Sequence, residues 1–343
     1  MTTIMIGLDV AKNVLQVHGI DAQGAVTVQR KLRRAQVEPF FAGLAPCVVG
    51  LEACGGAHHW GRLLAQLGHE VRMMPAHYVK PYVKRNKTDS RDAEAICEAM
   101  SRPTMRFVAV KSAEAQAILA LHRTRALLVR QRTMTANALR AGLAEFGVVA
   151  AAGQMGLARL REELAADPCP LPSPARAALA LLAVQWEQVD AAVRELDRQI
   201  MRHAREQEPA RRLMEIPGVG PLVASAILAK VADVNVFRSG RDFAAWLGLT
   251  PRQAATGGKE RSGGISKQGD RSLRTLLTLG ATARLAHARR SANDPWLCAL
   301  LARRPFKVVA VALAAKTARI IWAMLKTGER YRASHRATAA TAI

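Results

Sequence analysis

Two apolar runs in the first sixty residues, Ile4-Met5-Ile6-Gly7-Leu8-Asp9 and Cys47-Val48-Val49-Gly50-Leu51-Glu52, each stop on a carboxylate. Both read as short strands. Further strands are predicted at 14–18 and 26–28, around an Asp21-Ala22-Gln23-Gly24 turn. A helix at 59–67, a strand at 70–74 and a helix at 90–100 follow. The first third is therefore predicted to be an α/β domain, residues 1–105.

Four acids stand out there. Asp9 and Glu52 end their strands. Asp89 and Asp92, in Lys87-Thr88-Asp89-Ser90-Arg91-Asp92, are three apart and share one face at a helix start. Mg²⁺ requires hard oxygen ligands, and two such ions about 4 Å apart can clamp the attacking and leaving oxygens of a phosphodiester. Each acid alone has a plainer role: Asp89 and Asp92 as helix-cap and first-turn acids, Asp9 and Glu52 as solvated strand ends. The set as a whole, in a cationic chain, points to metal.

The middle third, 106–209, is predicted helical. Leu179, Leu182, Trp186, Val189, Val193, Leu196 and Ile200 alternate spacings of three and four, a heptad seam. An earlier helix at 113–146 is available to pair with it, and a second copy of the chain is an equal alternative. Four prolines between Asp167 and Pro174 mark a linker or cap.

Charge then narrows the partner. The chain has 343 residues, with 50 Lys and Arg against 27 Asp and Glu. Residues 210–343 hold 23 of those basic residues and only 7 of the acidic ones, so most of the net +23 sits there. Such an excess calls for a polyanion, nucleic acid first. Aromatics at 4% are too few for a binder that works mainly by stacking bases. Five cysteines without a C-x-x-C pair argue against zinc or disulfides and for buried thiols in a reducing compartment. MTTIMIGLDV lacks the features of a signal peptide, and the apolar run 308–325 carries Lys316 and Arg319 near its middle. A cytoplasmic, nucleoid-associated protein with no membrane partner is expected.

The last third, 210–335, is predicted to be helical around a conspicuous loop. Ile216-Pro217-Gly218-Val219-Gly220-Pro221 resembles a helix-hairpin-helix turn, in which Gly218 and Gly220 let the backbone approach a phosphate. A plain helix–helix turn is the equal alternative. The segment 249–270 has five glycines between Thr256 and Gly269. It is no Walker A motif, because Glu260 follows Gly258-Lys259 and Gln253 occupies the first glycine's place. A mobile phosphate-cradling loop is expected, with Lys259, Arg261, Lys267, Arg271 and Arg274 holding charge and Thr256, Ser262 and Ser266 supplying hydroxyls. One of these could attack phosphorus. A backbone-binding loop with no nucleophile is the alternative, and composition favours it.

The ordered series GLDVAK, GLEACGG, NKTDSRDA, IPGVGPLVASAIL, FAAWLGLTPRQ and TGGKERSGGISKQGDRSLRTLL resembles the insertion-sequence transposases of the "one-ten" family, including its "eleven-eleven" subgroup and the related Piv-type invertases. The resemblance covers about residues 4–330 and is weakest in the middle helices. It implies a DNA recombinase whose first domain is similar to the Holliday-junction resolvase RuvC, with a DEDD set at Asp9, Glu52, Asp89 and Asp92. It further implies Mg²⁺ or another divalent cation, a homo-oligomeric synapse (dimer or tetramer), double-stranded DNA at element ends and target, and an element-encoded structured guide RNA. The family's covalent serine precedes a glycine after the Pro-Arg dipeptide. Here Pro251-Arg252-Gln253-Ala254-Ala255-Thr256-Gly257 places Thr256 there. Threonine can serve as nucleophile, although its methyl crowds the approach; Ser262 or an impaired copy are the alternatives. A metal-dependent structure-selective nuclease and a decayed nucleic-acid-binding protein are the competing functions.

Overall fold

A computed structural model describes residues 3–84, 89–291 and 294–332. The chain divides into two compact units, residues 1–116 and 117–343.

The first unit is built on β1 (Met5–Val10), β2 (Val14–Ile20), β3 (Val26–Arg33), α1 (Arg34–Ala42), β4 (Val48–Glu52), α2 (Ala57–Gln66), β5 (Glu70–Met74), α3 (Ala76–Val79) and α4 (Asp89–Met100). The strands form one mixed sheet in the order β3-β2-β1-β4-β5. β1 runs antiparallel to β2 and parallel to β4, and β4 is parallel to β5. The β2–β3 turn is set by its own chemistry. Asp21 Oδ1 accepts the Gln23 and Ala25 N–H groups at 3.0 and 2.9 Å, and Gly24 takes φ +82°, a local side-chain turn of the kind aspartate favours. One face of the sheet buries Ile6, Leu8, Leu15, Val17, Val49 and Leu51 against Phe41, Trp60 and Leu64.

The other face receives α4. Gln29, His18, Gly7 and Gly50 are register partners across four neighbouring strands, and the helix crosses them as a row. Gln29 Nε2 donates to Ser90 Oγ at 2.5 Å. A Cβ on Gly7 would lie 2.1 Å from the Ala93 carbonyl oxygen, and one on Gly50 2.7 Å from Met100 Sδ. Glycine is therefore required at Gly7 by backbone-to-backbone contact.

The second unit holds most of α5 (Ala113–Ala144), with α6 (Gln154–Ala165), α7 (Ser173–Glu206), α8 (Glu208–Met214), α9 (Pro221–Lys230), α10 (Gly240–Trp246), β6 (Pro251–Thr256), β7 (Lys259–Ile265), α11 (Arg271–Ser291), α12 (Pro295–Arg303) and α13 (Phe306–Thr327). The heptad seam of α7 is used within the chain. Leu179 covers Gly142 of α5, Arg132 reaches Asp190 at 2.7 Å, and Arg125 reaches Asp197 at 2.5 Å. The helices therefore run antiparallel, which decides between the two pairings left open by the spacing. The apolar run near the C-terminus is α13, long and apolar enough by composition to cross a membrane. Here Val309, Ala310, Leu313, Ala314, Ala318 and Ile321 bury it at the centre of a helical core.

The glycine-rich segment is not the irregular loop expected from its composition. β6 and β7 pair antiparallel, with Thr256 opposite Lys259. Gly257 and Gly258 form the two-residue connection at φ +55° and +76°, the positive-φ pair that tight hairpins demand. The base of the hairpin is tied down. Ser266 N–H donates to Thr250 O at 2.9 Å, Lys267 N–H to Gly248 O at 3.1 Å, and Arg274 Nη1 to Leu247 O at 2.9 Å. A Cβ on Gly269 would fall 1.8 Å from the Trp246 carbonyl oxygen. Asp270 then caps α11 through Leu273 N–H at 2.9 Å and accepts Lys230 Nζ at 2.8 and 2.6 Å. Burial pushes the Asp270 carboxyl up, but the bonds from Lys230, Leu273 N–H and Ser272 outweigh it and hold it below its ordinary value.

The packing at Gly7 and the bonds to Asp270 each set an expectation. Gly7→Ala lowers unfolding stability by on the order of 3 kcal/mol through overpacking against a helix backbone. Gly55→Ala, whose added methyl meets nothing within 4 Å, changes it little; denaturant unfolding of both variants checks this. Because the folded Asp270 carboxyl is depressed, its stabilisation is present above the ordinary value of 3.8 and disappears as pH falls through the lower folded value. Asp270→Asn should lower stability near neutral pH by roughly 2 kcal/mol and remove that share of the acid-side destabilisation, measured by unfolding across pH 2.5 to 7.

Candidate active site

Asp9 and Glu52 stand at the same level on neighbouring parallel strands, one residue beyond Leu8 and Leu51, the last pair between β1 and β4; Asp9 still pairs with Gln16 of β2 and Glu52 with Met74 of β5. Adjacent strands lie about 4.8 Å apart. Side chains two residues apart on a strand share a face, so Asp9 follows Gly7, and Glu52 follows Gly50, on the face that α4 covers. Their shared neighbourhood shows in Cys54, whose thiol is pushed up first by burial and then by the negative charges of Glu52 and Asp9. Cys54 is exposed, and only Cys47 and Cys97 among the five thiols are fully buried. The expectation of five buried thiols is corrected here, because Cys54 lies in the turn that leaves the strand end.

Asp92 is half-buried on α4, one turn before Ile96. Ala95 and Ala99 continue its side of the helix and pack with Met74 and Val79, and Met74 is the register partner of Glu52. Asp92 thus lies on the side of α4 that carries Ala95 and Ala99. Asp89 opens α4, but its side chain, like the whole of Lys87, lies outside the described residues. Among the described residues no group of three or more His, Cys, Asp or Glu side chains is gathered closely enough to hold a metal. By donor chemistry the set is all carboxylate oxygen, which suits a hard divalent cation.

In the second unit, Thr256 is exposed on the last residue of β6, directly before the Gly257-Gly258 turn. The other residues singled out in the sequence fall into three groups. Arg261, Lys267 and Arg271 are exposed on and beside the hairpin; Lys259 and Ser262 belong to β7, but their side chains lie outside the described residues. Arg252 lies against the Ser266 carbonyl at 3.3 Å, and Arg274 bonds the Leu247 and Gln268 carbonyls, so both guanidiniums help fix the hairpin base. In the Ile216–Pro221 turn, Gly218 at φ +91° sits 2.9 Å, by its would-be Cβ, from the Gly280 carbonyl oxygen, so its glycine serves close packing on α11. Gly220 precedes α9 with open space around it. The buttress of Lys230 and Asp270 was missed in the sequence, although an Asp three residues before Leu273 at a helix start is a legible cap signal.

The chain is similar to known proteins along most of its length. The IS110-type DEDD transposase model matches residues 6–147, and the model described as "Transposase IS116/IS110/IS902 family" matches residues 210–296. The chain is 50% identical to a "Probable family 20 transposase" of Pseudomonas aeruginosa, over 97% of this chain and 99% of that one. It is 40% identical to the "Transposase for insertion sequence element IS1111A" of Coxiella burnetii, over 96% and 91% of the two chains. With the transposase for insertion sequence element IS1328 of Yersinia enterocolitica the identity is 38%, over 94% and 97%. Its mixed sheet, its helical second unit and these matches together make the chain a DNA transposase, an enzyme that belongs to the IS116/IS110/IS902 family.

Proposed function

We propose that this transposase cuts and rejoins DNA through a covalent ester on Thr256. The observation that carries the proposal is the hairpin: it holds an exposed hydroxyl at the edge of a two-glycine turn, on a base locked to α10 and α11, within the most cationic part of the chain. In the step envisaged, the Thr256 oxygen forms a bond to phosphorus as the bond from phosphorus to one deoxyribose oxygen breaks. That oxygen leaves with a proton as a free strand-end hydroxyl. Attack by an incoming strand hydroxyl reverses the step, so bond energy is kept for rejoining. The methyl of Thr256 narrows the approach without removing the nucleophile.

In this reading Asp9, Glu52 and Asp92, joined by Asp89, bind a divalent cation, Mg²⁺ by preference. When bound, the cation supplies Lewis-acid stabilisation of charge on a phosphodiester. The carboxylates themselves orient it at the ends of β1 and β4. The order of strands, antiparallel then parallel, supports an RNase H-like and RuvC-like first domain. The functional division read from the sequence is kept: residues 1–105 for the acids, 106–209 for the helical region and 210–335 for the hairpin. An oligomeric synapse is supported by the exposed apolar residues Leu127, Met134, Leu181 and Val184 on α5 and α7, outside the seam that those helices share. The guide RNA and the cytoplasmic, nucleoid-associated location rest on the motif resemblance, composition and charge.

Thr256→Ala is expected to abolish a denaturant-resistant, protease-sensitive protein–DNA adduct on a suicide DNA substrate supplied with the RNA transcribed beside the gene. Thr256→Ser should keep it, and Asp9→Asn or Glu52→Gln should lower its rate at least about 100-fold. Gel analysis of the trapped products checks this. An adduct that survives in Thr256→Ala and disappears in Ser262→Ala contradicts the assignment, and strand hydrolysis by wild type without any adduct favours a metal-dependent nuclease.

A further inference from the structure

We propose that the cleft between the start of α10 and the first strand of the hairpin is a subsite for a DNA backbone phosphate flanking the exchange position, an inference that rests on the Thr256 reading. The cleft has a volume of about 540 Å³ and is lined by Arg238, Ser239, Arg241, Asp242, Thr250 and Gln253 among others. That is ample for a phosphodiester with its sugars. Both guanidiniums are exposed, and the turn that carries them is fixed. Ser239 Oγ accepts the Asp242 N–H at 3.2 Å, and Asp242 Oδ2 accepts the Arg238 N–H at 3.3 Å, so the cleft's carboxylate is bonded to its own turn. Gly240 presses that turn on α13, where a Cβ would lie 3.2 Å from Arg319 Cα.

Two guanidiniums, two hydroxyls and an amide around one carboxylate favour a phosphodiester oxygen over an apolar or cationic ligand. Gln253 is three residues before Thr256 on β6, on the opposite face of the strand, at a distance along it of about 10 Å. A phosphate bound here would sit a few nucleotides from the one attacked. DNA is the occupant argued for, because the hairpin that lines the cleft also carries the proposed nucleophile.

The test is the salt dependence of binding of the full chain to a plain DNA duplex, compared with an RNA duplex of equal length. In Arg238→Ala/Arg241→Ala, the slope of log affinity against log salt on DNA should shrink by about one for each phosphate that is no longer neutralised, with about a tenfold weaker affinity at physiological salt. Arg238→Lys/Arg241→Lys should keep the slope. An unchanged slope on DNA, or a change on RNA alone, overturns the proposal. Arg238→Gln/Arg241→Gln carries the same expectation if the alanine variant fails to fold, with the unfolding temperature as control. The two readings fail separately. A wild-type chain that makes no adduct while the arginine variants show the shallower slope sinks the Thr256 ester and leaves the cleft; a normal adduct with unchanged slope sinks the cleft alone.

Discussion

The backbone contact of α4 with β1 at Gly7 is the constraint on which the first unit depends. No side chain fits there, so helix and sheet approach more closely than ordinary packing allows. The closeness sets the level of everything beyond it. Asp9 and Glu52 follow the two glycines by two residues on the same face, and Asp92 shares its side of α4 with Ala95 and Ala99, which are buried in one cluster with Met74 and Val79. Asp9 and Glu52 are thus placed at one end of the sheet by the strand register and the close approach of α4, not by any attraction between the acids themselves.

The second unit meets a different constraint, which is to hold a glycine-rich segment in one hairpin. The turn uses two glycines for their conformational freedom, while the base uses Gly248 and Gly269 for their lack of side chains. Arg274, Arg252 and the Lys230–Asp270 pair fasten that base to its neighbours. Part of the cationic excess is therefore structural. Arg261, Lys267 and Arg271 remain exposed on and beside the hairpin.

Much of this was legible in the sequence. The apolar strands that carry the acids, the Asp21–Gly24 turn, α4 and the long helices α5 and α7 all follow local periodicity and turn chemistry; β4 ends on Glu52, β1 runs one residue past Asp9 to Val10, and α4 begins within a residue of its predicted start. The hairpin was not read, because glycines and charges dilute the alternation that marks strands; the Gly257-Gly258 pair between two extended runs was the available signal. The role of Gly218 was equally hidden, since close packing on Gly280 depends on a residue far along the chain. The heptad spacing revealed a seam but not its partner. Arg125 and Arg132 opposite Asp197 and Asp190 place α5 along it, and α6 and α9 share the packing.

The proposed ester on Thr256 is tested most directly by identifying the atom that carries DNA. Trapping the adduct on a suicide substrate, digesting protein and DNA, and sequencing the modified peptide by tandem mass spectrometry reads that atom directly. The predicted result is a nucleotide phosphate on the Thr256 oxygen, within the peptide that spans the hairpin turn. A nucleotide on Ser262, Ser266 or any residue outside the hairpin would contradict it.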